Sequence, residues 1–501
     1  MDVISATNAA LLIEDNASII PGGFGSCGHP DILTTAIEKR FLATGSPRNI
    51  SLLFASGAGD KQGMGLDKLA HKGLVRKAIG GFWGLCPKLT TMALNNEVEA
   101  HNWPQGVISN LFREIAAQSP GVISKVGLGT FVDPKNGGGL ISKDKGQALI
   151  NEITIKDINY LHYPIQQVDI ALLRGTVSDE DGNIAFDDEV SFTDSLSQAQ
   201  AVKNCGGKVI FQVKRIVKNH SISPELVKVP CFLVDYVVIA EDDSQHPQTY
   251  GRAILESEYT ATNSSPRQQP LAKRIIASRA ALELQKHKTS NVNLGIGIPA
   301  LVGAEIEKNN PDKHVVTVES GVIGGVPEEG LSFGASNSPM AIIEQSSLFN
   351  FYDGGGIDVA FLGFAEVDTN CNVNVSRFGS RAPGAGGFIN ISQSAKKVVF
   401  CGTLTAGGLD LSYQDDFIEI NQEGSFKKFK HQVEQITFFG HSPKNESREV
   451  LFITERAVFS ILKGTLTLVE LAAGITVDDI TSLVDCDFSV SNDLSEMKFN
   501  I

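Results

Sequence analysis

Apolar residues along the chain fall in short, near-continuous blocks instead of alternating with polar ones. Asn49–Phe54, Val168–Leu173, Val315–Val318 and Lys397–Phe400 each read as a strand buried on both faces. Helical spacing separates them. Val107, Ile108, Leu111, Phe112 and Ile115 make an amphipathic stripe after Pro104. Ile32, Ala36, Ile37 and Leu42 make a looser one after Pro30-Asp31, with the proline expected at the first helical position. Strands alternating with helices predict an α/β fold with mostly parallel sheets.

The blocks repeat. Val168-Asp169-Ile170-Ala171-Leu172-Leu173 resembles Ile357-Asp358-Val359-Ala360-Phe361-Leu362, an offset of 189 positions (169 to 358). Asn183-Ile184 matches Asn372-Val373 at that same offset, and Lys208–Phe211 matches Lys397–Phe400. Nearer the start of each half, Gly28-His29-Pro30 pairs with Gly297-Ile298-Pro299, and Ser51–Gly57 with Val315–Gly321. The first half is longer by roughly 75–80 residues, placed around Gln62–Gly139. The expectation is two related open α/β domains from an internal duplication: residues 1–240, a polar linker 241–269, and residues 270–501. In this alignment Ala55 stands where the second half has Glu319.

Composition narrows the class. A chain of 501 residues, 42% hydrophobic, is long enough for more than one core. A net charge of −14 argues against nucleic acid as a partner, though a few local donors can still hold a small anion. The seven cysteines are scattered with no C-x-x-C, as expected of reduced thiols. No signal-type leader and no long apolar run is present, so a cytoplasmic location without a membrane partner is expected. The histidines show no metal-ligand spacing, so no metal is expected. Asp179-Glu180-Asp181 and Asp187-Asp188-Glu189 read as solvated turns.

Four features carry candidate chemistry. Glu319 ends a β-rich run and is followed by Gly321, Gly324 and Gly325. A carboxylate beyond a strand end, with glycines that let a ligand near the backbone, suggests a nucleophile or base. The bland alternative is a strand-ending acid facing water. Gln105 sits in the first turn of the helix after Pro104, where side-chain amide and free backbone N–H groups point the same way. Gly384-Ala385-Gly386-Gly387 is a glycine-dense loop able to present N–H groups to an anion, or merely flexible. Gly23-Phe24-Gly25-Ser26-Cys27-Gly28 has dinucleotide-binding spacing, but the next strand ends Ala55-Ser56-Gly57 without the acid that nicotinamide binding wants. A substrate-facing turn at Gly25 and Gly28 is the better reading.

Taken together, Glu319-Ser320-Gly321-Val322-Ile323-Gly324-Gly325-Val326-Pro327 with Phe333-Gly334-Ala335 resembles the active-site segment of family I coenzyme A transferases. Gly22–Gly28, Asn102–Val107, Gly129–Pro134, Phe364–Asp368, Gly384–Phe388 and Cys401–Gly407 resemble the family's other motifs in order, over nearly the whole chain. The nearest likeness is to the single-chain acetate and propionate enzymes. The resemblance implies a nucleophilic Glu319 that carries CoA as a thioester and a Gln105 oxyanion donor. It also implies a Gly384–Gly387 loop beside the CoA thioester, with Gly386 as the backbone donor. It further implies homo-oligomers, and coenzyme A as substrate with no tightly bound cofactor. A glutamate is expected to be ionised at pH 7, needing no base to attack a thioester. Two alternatives remain open at this point: an acyl-CoA hydrolase at the same site and a nicotinamide-dependent oxidoreductase.

Overall fold

The computed structural model describes residues 1–251, 269–286, 289–309, 313–414 and 417–501. The expected strands form at Ile50–Ser56, Ile170–Arg174, His314–Val318 and Lys397–Cys401. Their period of two divides each between two cores. Val398 and Phe400 enter one cluster, Val399 and Cys401 the cluster on the opposite face. Ala171 and Leu173 are likewise separated from Ile170 and Leu172. With both faces covered there is no polar side to alternate with, which is why these strands read as apolar blocks.

The first half holds an eight-stranded sheet in which every neighbouring pair is parallel. The second holds ten strands: parallel at its centre, antiparallel at one edge, and at the other two antiparallel pairs followed by the parallel edge strand Ser489–Glu496. Five strands lie in the same spatial order in both. Tyr236–Ile239, Lys208–Val213, Ile170–Arg174, Ser18–Pro21 and Ile50–Ser56 correspond to Val450–Ile453, Lys397–Cys401, Val359–Gly363, Ser290–Leu294 and His314–Val318. Next in the first half come parallel strands Val75–Phe82 and Glu99–Asn102, from the longer insertion. The second half has only the short antiparallel Val322–Ile323 and Ala341–Ile342 there.

The duplication reaches individual side chains. Asp169 accepts a hydrogen bond from the Ser18 N–H at 2.8 Å, and Asp358 from the Asn291 N–H at 2.8 Å. Asp179 closes a turn by accepting from the Gly182 and Asn183 N–H groups and from Asn183 Nδ2. Asp368 does the same with the Asn370 and Asn372 N–H groups and Asn372 Nδ2. Asp179 is therefore buried, not solvated as expected from its acidic neighbours. Glu189 is also buried, bonded to Arg174 at 2.7 Å and His246 at 2.6 Å. Burial alone would raise its carboxyl; Arg174 and His246 outweigh that and hold it at about 2.

Two boundaries differ from expectation. Pro30 precedes the helix Asp31–Thr44 as its N-cap instead of opening it. Of the expected linker, residues 252–268 lie outside the described residues. Its earlier part packs on the first half, with His246, Gln248 and Thr249 buried and the Tyr250 hydroxyl donating to Asp31 at 2.7 Å. No helix among the described residues is long and apolar enough to cross a membrane.

Candidate active site

The carboxyl ends of the two sheets face each other across a cavity of about 560 Å³. The first half contributes Phe24–Ser26, Ser56, Phe82 and Gly84, the second Gly295, Ile296, Glu319, Gly363 and Gly384–Phe388. Ligands of open α/β sheets bind at such strand ends. Apolar walls come from Phe24, Phe82, Leu85, Leu331, Phe333 and Phe388, while Asp60, Lys61 and Gln62 also line the cavity.

Glu319 follows directly on His314–Val318 and lines the cavity, half-buried. The Gly387 N–H donates to its Oε2 at 3.2 Å. Gly387 caps the short helix Phe388–Ser394, so this N–H has no partner within the helix and is free to face the carboxylate. Burial pushes the Glu319 carboxyl up to about 7, against the Gly387 N–H and the Gln105 side chain, which both favour the charged form. The expectation of a fully ionised glutamate at pH 7 is thereby corrected. Two donors do not make good the water that burial removes.

Gln105 opens the helix Gln105–Ala116 and is 1% exposed. The other half holds this helix end at several points. The Gln105 N–H donates to the Gly386 carbonyl at 3.0 Å, and the Gly106 N–H to Asn390 Oδ1 at 3.1 Å. Asn390 is oriented in turn by donating to both Asp353 oxygens, at 3.0 and 3.1 Å. A side-chain amide from one half is thus held beside a carboxylate from the other.

The structure brings Glu319, Gln105, Gly384, Gly386, Gly387 and Gly25 to one cavity. Gly28 is not among its walls. It sits behind the turn closed by the Phe24 and Cys27 backbone pair, where its φ of +67° shapes the chain. The N–H of Gly386, guessed as a donor, is engaged with the Gly81 carbonyl at 2.9 Å. The neighbouring Gly387 N–H is the one that faces the carboxylate. Space dictates glycine there: a Cβ on Gly387 would lie 2.5 Å from Glu319 Oε2. Sequence reasoning missed Asn390, Gln345 and Asp194, which pack around Gln105 from segments up to 285 positions away. No local pattern marks them.

A coenzyme A transferase family model matches residues 3–240. An acetate CoA-transferase (YdiF) of Escherichia coli O157:H7 is 39% identical over 99% of this chain and 94% of the relative. This chain belongs to the coenzyme A transferases. A caffeate CoA-transferase of Acetobacterium woodii is 40% identical, again across 99% of this chain and 96% of that one. The crystal structure of the acyl-CoA transferase YdiF apoenzyme from Escherichia coli O157:H7 superposes with a TM-score of 0.93 at 38% identity, covering 99% and 95% of the two chains. A thioester complex of that protein with CoA gives 0.92. The transferase therefore moves CoA from an acyl-CoA to a carboxylic acid.

Proposed function

We propose that this transferase works by a ping-pong reaction through a covalent Glu319–CoA thioester, with short-chain monocarboxylic acids of the acetate and propionate type as partners. The observation that carries the reading is the Gly387 N–H on Glu319 Oε2, with the Gln105 amide alongside. The ionised carboxylate attacks the acyl-CoA carbonyl, giving a mixed anhydride and a CoA thiolate. The thiolate then attacks the Glu319 carbonyl carbon, leaving glutamyl-CoA thioester and the free acid. A second carboxylate runs the steps backwards. In the thiolate step the oxyanion forms on Glu319's own oxygen, where the Gly387 N–H already points. One such donor is typically worth about 10²–10³ in rate. No external base enters, because each attacking group is already an anion.

The apolar walls and the names of the acetate and caffeate relatives support acids without a second charge. The catalytic unit comprises residues 1–240, which supply Gln105 and Gly25, and residues 270–501, which supply Glu319 and Gly384–Gly387. The test is mass spectrometry after incubation with acetyl-CoA or propionyl-CoA and no acceptor acid. The Glu319 peptide is expected to gain the mass of CoA less one water, in a form that borohydride reduces. Absence of that adduct, with transfer intact, defeats the covalent reading. Comparable transfer to succinate and acetate defeats the monocarboxylate reading.

A further inference from the structure

Behind Gln105, away from the cavity, Ser109, Asp194 and Gln345 form a closed polar cluster between the halves. All three are at most 1% exposed. Gln345 Nε2 donates to Asp194 Oδ2 at 2.7 Å and to Ser109 Oγ at 2.5 Å. Ser109 Oγ donates to the same Asp194 oxygen at 2.8 Å. Asp194 Oδ1 accepts from the Ser346 N–H at 3.0 Å. Burial, with the nearby Glu344 carboxylate adding to it, pushes the Asp194 carboxyl up to about 7, while its hydrogen-bond partners are two N–H donors and one hydroxyl, so it accepts from Gln345 in either form.

An amide has one donor end and one acceptor end, and Asp194 selects between them. With Nε2 of Gln345 turned to the carboxyl, its Oε1 faces Gln105 and accepts from Gln105 Nε2 at 3.4 Å. The donor end of Gln105 is thereby kept on the side where it also meets Glu319. Its oxygen lies toward Gly386, 3.6 Å from where a Cβ on that glycine would stand. The backbone beside Asp194 shows that this arrangement is held against resistance. Thr193, a β-branched residue, adopts φ +45°, and its carbonyl accepts from the Gln345 N–H at 3.0 Å. Strain at a β-branched residue persists only where its surroundings over-determine it, and it concentrates at functional sites.

We propose that Asp194 is a positioning residue of the transfer reaction: through Gln345 it fixes the amide of Gln105 so that N–H, not C=O, faces Glu319. This rests on the reading of Gln105 as an oxyanion donor. In Asp194→Asn, an oxygen still caps Ser346, but an NH₂ turns toward Gln345. Each amide in the relay then reverses, and Gln105 offers its carbonyl to the carboxylate.

The experiment is a double-mutant cycle on the full chain, reading kcat, KM for acyl-CoA and thermal stability. Gln105→Ala is expected to lower kcat by about 10²–10³. Asp194→Asn is expected to lower it about 10- to 100-fold with KM little changed. In the Gln105→Ala background it should cost no more than about twofold, because the donor it aims is gone. A purely structural Asp194 would lower activity by the same factor in both backgrounds, and that result overturns the proposal. Gln345→Met, of similar volume, carries the same cycle should Asp194→Asn fail to fold. Unchanged turnover in Gln105→Ala would sink the donor reading itself, and the proposal with it. A normal loss in Gln105→Ala with full activity in both Asp194→Asn and Gln345→Met sinks the positioning role alone.

Discussion

Glu319 combines a reactive position with an environment that resists its charge. Because its carboxyl is raised to about 7, the folded protein holds that proton more tightly than the unfolded chain does. The stability this group contributes is full below its unfolded value of about 4.5 and is lost as pH rises through about 7. Glu319→Gln, neutral throughout, should match the parent near pH 4 and exceed it near pH 8 by about 2 kcal/mol, discounted for water in the cavity. Thermal denaturation at the two pH values checks this; a gap that does not change with pH counts against it. In the proposed mechanism the same ionisation sets reactivity. For the unliganded enzyme, kcat/KM should fall about tenfold per pH unit below about 7, a limb read directly from a pH–rate profile. Gly387→Ala tests the neighbouring contact. Its Cβ would stand 2.5 Å from Glu319 Oε2, and a displacement on the ångström scale costs about 10² in kcat. Unchanged kcat in that variant would show that the close approach does not matter.

At the scale of elements, the helix Gln105–Ala116 is the piece on which the site turns. Its amphipathic stripe was legible in the sequence, because Val107, Ile108, Leu111, Phe112 and Ile115 all enter one core. Its first turn was legible only as a capable N-terminus. What it docks against lies in the other half, and no spacing rule reaches that far. Glu319 and the glycine loop were legible because each sits at a strand or helix end where sequence and chemistry coincide. The sequence could not choose between Gly386 and Gly387, because neighbouring glycines differ only in where the fold turns their N–H groups. The acids at Asp179 and Glu189 were misread because the donors that bury them come from the backbone, from Arg174 and from His246. Asn390 is the testable anchor. Asn390→Ala leaves the buried Gly106 N–H and the Asp353 carboxyl unpartnered, each worth about 1–3 kcal/mol. Denaturant titration should show a loss in that range, together with a fall in kcat as the Gln105 end loosens.

Across the whole molecule, the duplication has been put to unequal use. The two halves keep the same five-strand order and even the same aspartate turn, yet only the second places a carboxylate at the end of its active-site strand. Ala55, the counterpart of Glu319, is 5% exposed and packs in the first half's core. The longer insertion of the first half instead builds the two added strands and the helix that brings Gln105. Neither half holds a complete site. Residues 1–240 and 270–501 produced as separate chains should therefore be inactive alone and recover transfer on mixing, measured as acyl-CoA turnover. Turnover by either chain alone would contradict the division of labour.

The seam between the halves has a further consequence. Trp83 N–H to Pro383 O, Gly386 N–H to Gly81 O and Gln105 N–H to Gly386 O join them through main-chain atoms that every residue type but proline carries. A contact made this way is indifferent to most changes of side chain. Mutational drift can rewrite the surrounding residues, as it has rewritten the two halves relative to each other, and the register across the seam survives. Only two kinds of change reach it: a proline, which removes the N–H, or a Cβ at a glycine such as Gly81, where it would lie 2.3 Å from the Ala55 carbonyl. The alignment of Glu319 with Gln105 is thus insulated from side-chain variation in the cavity walls.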